Sequence, residues 1–263
     1  MNLQVLVSTM NQEGYNLLEK MKIDCEAVVI NQCGKKSKEN IEFNKFDIKW
    51  INSNKKGLSI SRNMAIDNSD SDICLLADDD LIYVDNYKDI IIEQFKLYPK
   101  ADIITFQIEG IEKKFKNYHS KPRKLNYLTS MKVSSVEIAF KSKSIKDTEV
   151  KFNETFGAGA KYFAGEENIF LYDCLKKGLN IQYVPIKIAD LHIGESSWFK
   201  GYNKEYFIAK GAIFTAMSKA FSIPLILQFA VRKRNLFKAE TSILSAIRLM
   251  LNGRKQYLNY KID

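Results

Sequence analysis

Histidine and cysteine are both scarce in this chain of 263 residues, which has two of the first and four of the second. Cys25, Cys33, Cys74 and Cys174 are scattered without a Cys-x-x-Cys pair, which argues against a zinc cage or a disulfide framework and for reduced thiols. No apolar run approaches the roughly 20 residues needed to cross a bilayer. The best candidate, FSIPLILQFAV (221–231), is short and contains Pro224. The opening MNLQVLVSTMNQEG has no basic leader and soon turns polar, unlike a secretory signal. There is no internal repeat and no low-complexity segment. With 46% hydrophobic and 27% charged residues, the chain reads as a cytoplasmic globular protein, either one large domain or a domain with an appendage.

What is present is positive charge, a net +9. No nucleic-acid motif accompanies it and the lysines are spread widely, so nucleic acid is not an expected partner. A phosphate-bearing substrate or an anionic membrane surface is left, alongside a lysine-rich composition with no partner behind it.

Apolar segments LQVLVST (3–9), CEAVVIN (25–31), FDIKWI (46–51), DICLLA (72–77) and ADIITFQI (101–108) read as strands. Helical patterns over 13–22, 57–68 and 84–98 alternate with them, and the stretch after Gly34 reads as a polar loop. This alternation predicts an α/β fold with a mostly parallel sheet, in which ligands bind beyond the carboxyl ends of the strands. Further on, 112–124 reads as a basic loop and 136–140 as a strand. The stretch 167–178 reads as a helix closed by Gly178, and 181–194 as extended segments around Pro185. Beyond Ser196 the pattern is helical.

At one such strand end stand Asp78, Asp79 and Asp80. Three adjacent carboxylates repel one another, so they either face water as a turn and helix cap or hold a cation. The Asp-x-Asp spacing of Asp78 and Asp80 suits a divalent ion, since Mg²⁺ uses one or two carboxylates together with substrate phosphates. Arg62 and Asn63 lie on a helix just upstream. Glu166 and Glu167 open another helix after a glycine-punctuated loop, where carboxylates either favour the helix dipole or serve as a general base.

VSTMN (7–11), VVINQC (28–33), GLSISRN (57–63), LLADDDLIY (75–83) and FGAGAKYFAGEEN (156–168) together resemble, in order and spacing, the family 2 glycosyltransferases with the GT-A fold. The resemblance covers about residues 1–200. It implies an inverting, metal-dependent transferase that uses a nucleotide-diphosphate sugar, UDP-linked by expectation. By the same resemblance Ser8, Thr9 and Asn11 line the nucleotide base, and the family's acidic position near the base falls on Asn31 or Gln32. Arg62 sits near the nucleotide. Asp80 matches the metal ligand and Asp79 a ribose or metal contact, with Asp78 open as a second ligand for Mn²⁺ or Mg²⁺. Glu167 falls on the catalytic base, beside Glu166. His192 stands where several GT-A enzymes complete the metal site, and Ser196 and Ser197 follow where diphosphate contacts are expected.

The expected division is a GT-A domain over 1–200 and a helical extension over 201–263. Trp198, Phe199, Tyr202, Tyr206 and Phe207 are candidates for the acceptor side or for packing. Apolar FSIPLILQFAV runs into Arg232, Lys233 and Arg234, a combination that interfacial segments share. The expected acceptor is a polysaccharide or lipid-linked glycan, and the inner face of the cell membrane is a second location beside the cytoplasm. Rival readings are a sugar nucleotidyltransferase, disfavoured because VSTMNQEGYN lacks a glycine-rich phosphate loop, and a non-catalytic scaffold with the same fold.

Overall fold

The computed structural model describes residues 1–194 and 201–260; Ser196, Ser197, Trp198 and Phe199 lie outside the described residues. The first half of the chain alternates strands and helices: β1 (Leu3–Met10), α1 (Asn16–Lys20), β2 (Glu26–Gln32), β3 (Ser37–Phe43), β4 (Phe46–Ser53), α2 (Leu58–Asn68), β5 (Ile73–Asp78), β6 (Leu81–Tyr83), α3 (Tyr87–Leu97) and β7 (Ile103–Gly110). Then come β8 (Arg123–Leu125), α4 (Tyr127–Ser130), β9 (Ile138–Lys141), α5 (Ser142–Thr148), α6 (Glu166–Lys176) and β10 (Ile181–Leu191). Four helices close the chain: α7 (Lys204–Met217), α8 (Ser222–Arg232), α9 (Arg234–Phe237) and α10 (Ile243–Asn259).

All strands join one sheet in the order β3-β4-β2-β1-β5-β9-β7-β10-β6, with β8 also pairing β10. The run β4-β2-β1-β5 is parallel, as is β7–β10. The other pairings are antiparallel: β9 inserts between β5 and β7, the β3–β4 hairpin closes one edge, and at the other β10 pairs with the short β6 and β8. The parallelism expected from the sequence therefore holds through β4-β2-β1-β5 and β7–β10 and stops at β9 and at the edges.

Strand alternation distributes the core over both faces. On β1, Val5 and Val7 face a layer with Leu18, Ile91 and Phe95, whereas Leu6 faces the opposite layer with Ala65, Phe140 and Phe170. A third cluster joins Phe156, Tyr162 and Ile169 to Phe207, Phe214, Phe237 and Met250, so the C-terminal helices share a core with α6 and the loop before it. Helices α7 and α10 cross closely. A Cβ on Gly211 would lie 1.9 Å from the Met250 carbonyl oxygen, and one on Gly253 would lie 1.9 Å from that of Ile208.

Three local expectations change. The polar stretch after Gly34 contains β3, an edge strand turned back onto β4 through Asn44 and Lys45, both with positive φ, as a two-residue hairpin requires. The helix expected over 13–22 contracts to α1. Residues 181–191 form one strand, and Pro185, which has no N–H to give, falls in a register shift between Tyr183 and Lys187.

Candidate active site

Parallel pairing brings the carboxyl ends of β1, β2 and β5 into line: Ser8 lies opposite Asp78 and Ile30, Thr9 opposite Asn31, and Met10 opposite Gln32. Ser8 Oγ accepts a hydrogen bond from Ser61 Oγ at 2.8 Å, which ties β1 to α2. Asn31 is buried and holds the loop after β1 through both backbone groups of Gln12. Its Oδ1 accepts from the Gln12 N–H at 3.0 Å, and its Nδ2 donates to the Gln12 carbonyl at 3.0 Å and to Asn52 at 2.8 Å. Gln32 Oε1 accepts from the Gly57 N–H at 2.7 Å, steadying the start of α2. Asn11 is exposed at the rim in a left-handed conformation (φ 52°).

Arg62 is the hub. It is 1% exposed and donates from Nη1 to Glu166 Oε1 at 2.8 Å and from Nη2 to Asp78 Oδ1 at 2.9 Å and Ser135 Oγ at 2.8 Å. Its Nε has no partner, and its guanidinium carbon lies 5.5 Å from the centre of the Phe152 ring. Burial opposes the charge, but Asp78 and Glu166 outweigh it and raise the affinity for the proton. A buried charge of this kind persists only when paired and hydrogen-bonded.

The three aspartates diverge. Asp78 is held by Arg62. Asp79 Oδ2 accepts from Thr9 Oγ1 at 2.5 Å. Asp80 has no ion-pair partner among the described residues; burial first, and then Asp78 with Asp79, push its carboxyl up to about 6, and His192 pulls the other way. The His192 N–H donates to the Asp80 carbonyl at 3.0 Å, so β10 places the histidine beside the triplet. Its ring Nδ1 meets Glu112 Oε1 at 2.9 Å, and that contact, before all others, lowers the Glu112 carboxyl. No group of three or more His, Cys, Asp or Glu side chains among the described residues makes a closed metal cage. The donor set instead suits a Mg²⁺ or Mn²⁺ ion held by one or two carboxylates and completed by phosphate oxygens and water.

Gly165 caps α6 with φ 88°, and a Cβ there would meet Ile213 Cδ1 of α7 at 2.6 Å, so only glycine fits. The next two residues separate in role. Glu166 is buried on Arg62, while Glu167 is half-buried and has no ion pair among the described residues. Burial, then the charge of Glu166, push the Glu167 carboxyl up to about 8, against the pull of Arg62 and Lys210. Lys210 of α7 is itself lowered by burial, with Glu167 opposing and Lys233 adding to the shift.

The sequence profile described as Glycosyl transferase family 2 matches residues 5–161, more than half of the chain. The chain belongs to glycosyl transferase family 2. Glu166 and Glu167 lie just beyond the matched stretch. No curated protein sequence matches the chain. Among solved structures, this family 2 glycosyltransferase is similar to residues 1–349 of S. aureus TarS in complex with UDP-GlcNAc. That likeness has a TM-score of 0.67 at 15% identity and covers 98% of this chain and 81% of that one. The UDP complex of the same TarS fragment gives a TM-score of 0.65 at 14% identity, covering 98% and 88%. The likeness establishes the GT-A fold for the family 2 chain.

Sequence reasoning missed Ser135, Gln12, Glu112 and Lys210 as partners of the site. Only Lys210 left a signal, a lone charge inside the apolar run FIAKGAIF.

Proposed function

We propose that this glycosyltransferase moves a sugar from a nucleotide-diphosphate sugar, UDP-linked, onto a hydroxyl of a polysaccharide or lipid-linked glycan, with inversion at the anomeric carbon. The observation that carries this reading is the unequal pair at the start of α6: Glu166 locked on Arg62, Glu167 without an ion pair and with a raised carboxyl, at the strand ends that hold Asp78, Asp79 and Asp80. The TarS structures similar to this chain contain UDP-GlcNAc and UDP, which supports a donor of that class.

In this reading Ser8, Thr9 and Asn11 border the nucleotide, and Asn31 and Gln32 shape its pocket by fixing the Gln12 and Gly57 backbones. Asp80, with Asp78 or Asp79 and with His192 nearby, would hold Mn²⁺ or Mg²⁺, which when bound offsets the negative charge developing on the leaving diphosphate. Arg62 fixes the direction of Asp78 and of the α6 start. Glu167 accepts the proton of the acceptor hydroxyl as its oxygen attacks the anomeric carbon. The carbon–diphosphate bond breaks on the opposite face, and its electron pair leaves with the diphosphate.

A substitution at Glu167 tests the assignment. Glu167→Gln keeps volume but cannot take a proton, so transfer should fall about 10²–10⁴-fold with UDP affinity nearly unchanged. If Glu167→Gln retains full transfer, the base lies elsewhere. If neither it nor wild type transfers sugar in a broad donor and acceptor screen, the non-catalytic scaffold reading gains.

We also propose peripheral contact with an anionic membrane through the C-terminal helices. Between residues 219 and 260 the chain has eight lysines and arginines and one glutamate. Ile223, Leu227 and Val231 of α8 and Leu244, Leu251 and Leu258 of α10 are exposed, interleaved with Arg248 and Lys255. Apolar stripes flanked by cations suit the headgroup boundary of acidic bilayers. No described helix is long and apolar enough to cross a membrane.

A further inference from the structure

We propose that the cleft between β7, β8 and the α8–α9 junction binds a phosphate group of the acceptor, an inference that rests on the glycosyl-transfer reading above. The cleft is about 450 Å³ and is lined by Thr105, Lys116, His119, Arg123, Lys132 and Lys233, among others. Its one carboxylate, Glu137, is buried and already satisfied: Lys116 pairs with it and Tyr118 Oη donates to it at 2.6 Å. Arg123, Lys132 and Lys233 have no ion-pair partner among the described residues, although Lys233 comes from a part of the sequence distant from the other two. A neutral sugar gives three mutually repelling cations no reason to meet in one concavity. An oxyanion does, and an arginine fork with two lysine point charges matches the several oxygens of a phosphate.

The cleft floor supplies an independent sign of a missing polar partner. Thr105 is one of the lining residues and is 1% exposed, and its buried Oγ1 has no hydrogen-bond partner. Buried hydroxyls are rarely left so, and a ligand oxygen in the cleft would satisfy this one.

The cleft also adjoins the proposed base. Val133 in its wall accepts a hydrogen bond through its carbonyl from Asn168 Nδ2 at 3.5 Å, and Asn168 directly follows Glu167. Two residues beyond Val133, Ser135 Oγ accepts from Arg62, the hub of the donor side.

The test uses the full chain saturated with UDP and Mn²⁺, so that the donor's own diphosphate subsite is filled. Glucose 6-phosphate, glucuronate and glucose are then titrated by calorimetry. The expected order is glucose 6-phosphate ahead of both others. The triple substitution Arg123→Gln, Lys132→Gln and Lys233→Gln should weaken glucose 6-phosphate by about tenfold or more while UDP affinity holds. Thr105→Val, which keeps the shape and removes only the hydroxyl, should weaken it by about threefold to tenfold in a protein of unchanged melting temperature. Equal binding of glucose and glucose 6-phosphate, or a triple variant indistinguishable from wild type, overturns the proposal. Glucuronate binding as tightly as glucose 6-phosphate overturns the phosphate assignment. Failure of UDP to bind sinks the donor reading instead, while the loss of glucose 6-phosphate affinity in the triple variant still reports on the cleft.

Discussion

Replacing Glu167 by Gln should stabilise the fold while it disables transfer, and the gain should grow with pH. The carboxyl rises from an ordinary 4.5 to about 8 because burial and the Glu166 charge disfavour its ionised form. Below pH 4.5 folded and unfolded chains both hold the proton, and the variant has no advantage. Between pH 4.5 and 8 the unfolded chain releases the proton freely while the folded chain retains it, so wild type loses stability as pH rises. Above pH 8 the loss is complete. A shift of this size corresponds to a ceiling of about 5 kcal/mol at about 1.4 kcal/mol per pH unit. Partial solvation of the side chain reduces this to about 1–3 kcal/mol. For a chain of this length that is a rise in melting temperature of roughly 2–12 °C at pH 8. Calorimetric melting of both proteins from pH 4.5 to 8.5 reads it directly, and transfer by wild type should climb over the same interval as Glu167 becomes able to accept a proton. A melting difference that is flat with pH, or one that favours wild type at pH 8, refutes the environment assigned to Glu167.

Arg62→Met should cost about 3–5 kcal/mol in chemical denaturation, because Glu166 is left buried and unpaired; adding Glu166→Gln should recover part of it, and no recovery would mean that Glu166 is not the stranded charge. Gly165→Ala should destabilise by more than about 1 kcal/mol, since the left-handed cap and Ile213 both exclude a methyl group; an unchanged melting temperature contradicts the packing of α7 on α6. Arg232→Gln, Arg234→Gln and Arg248→Gln together should release the protein from acidic liposomes in low-salt flotation, each charge contributing about 1 kcal/mol. Wild type that never floats ends the membrane proposal.

The strands that carry the site were legible because each is a continuous apolar run ending in polar residues, and parallel strands buried on both faces leave that trace. The edge strand Ser37–Phe43 was not, since an exposed edge can be built from Lys, Glu and Asn and then reads as a loop. The site residues on strand ends and helix starts were nameable from their motifs, but their pairing was not. That Arg62 joins Asp78 to Glu166 depends on a contact across 104 residues, which leaves no periodic signature. The same holds for Ser135, and for the cleft formed by Arg123, Lys132 and Lys233. His119 was assigned nothing by sequence and lines that cleft.

The central claim is that the ends of β1, β2 and β5 form a metal-assisted site for a nucleoside diphosphate. Calorimetric titration of UDP into the full chain, with Mn²⁺ and with a chelator, tests it most directly. The account predicts one saturable site that Mn²⁺ tightens, and an Asp80→Asn variant, still folded, in which that tightening is lost. Absence of UDP binding under both conditions, or the same Mn²⁺-dependent affinity in Asp80→Asn as in wild type, would contradict it.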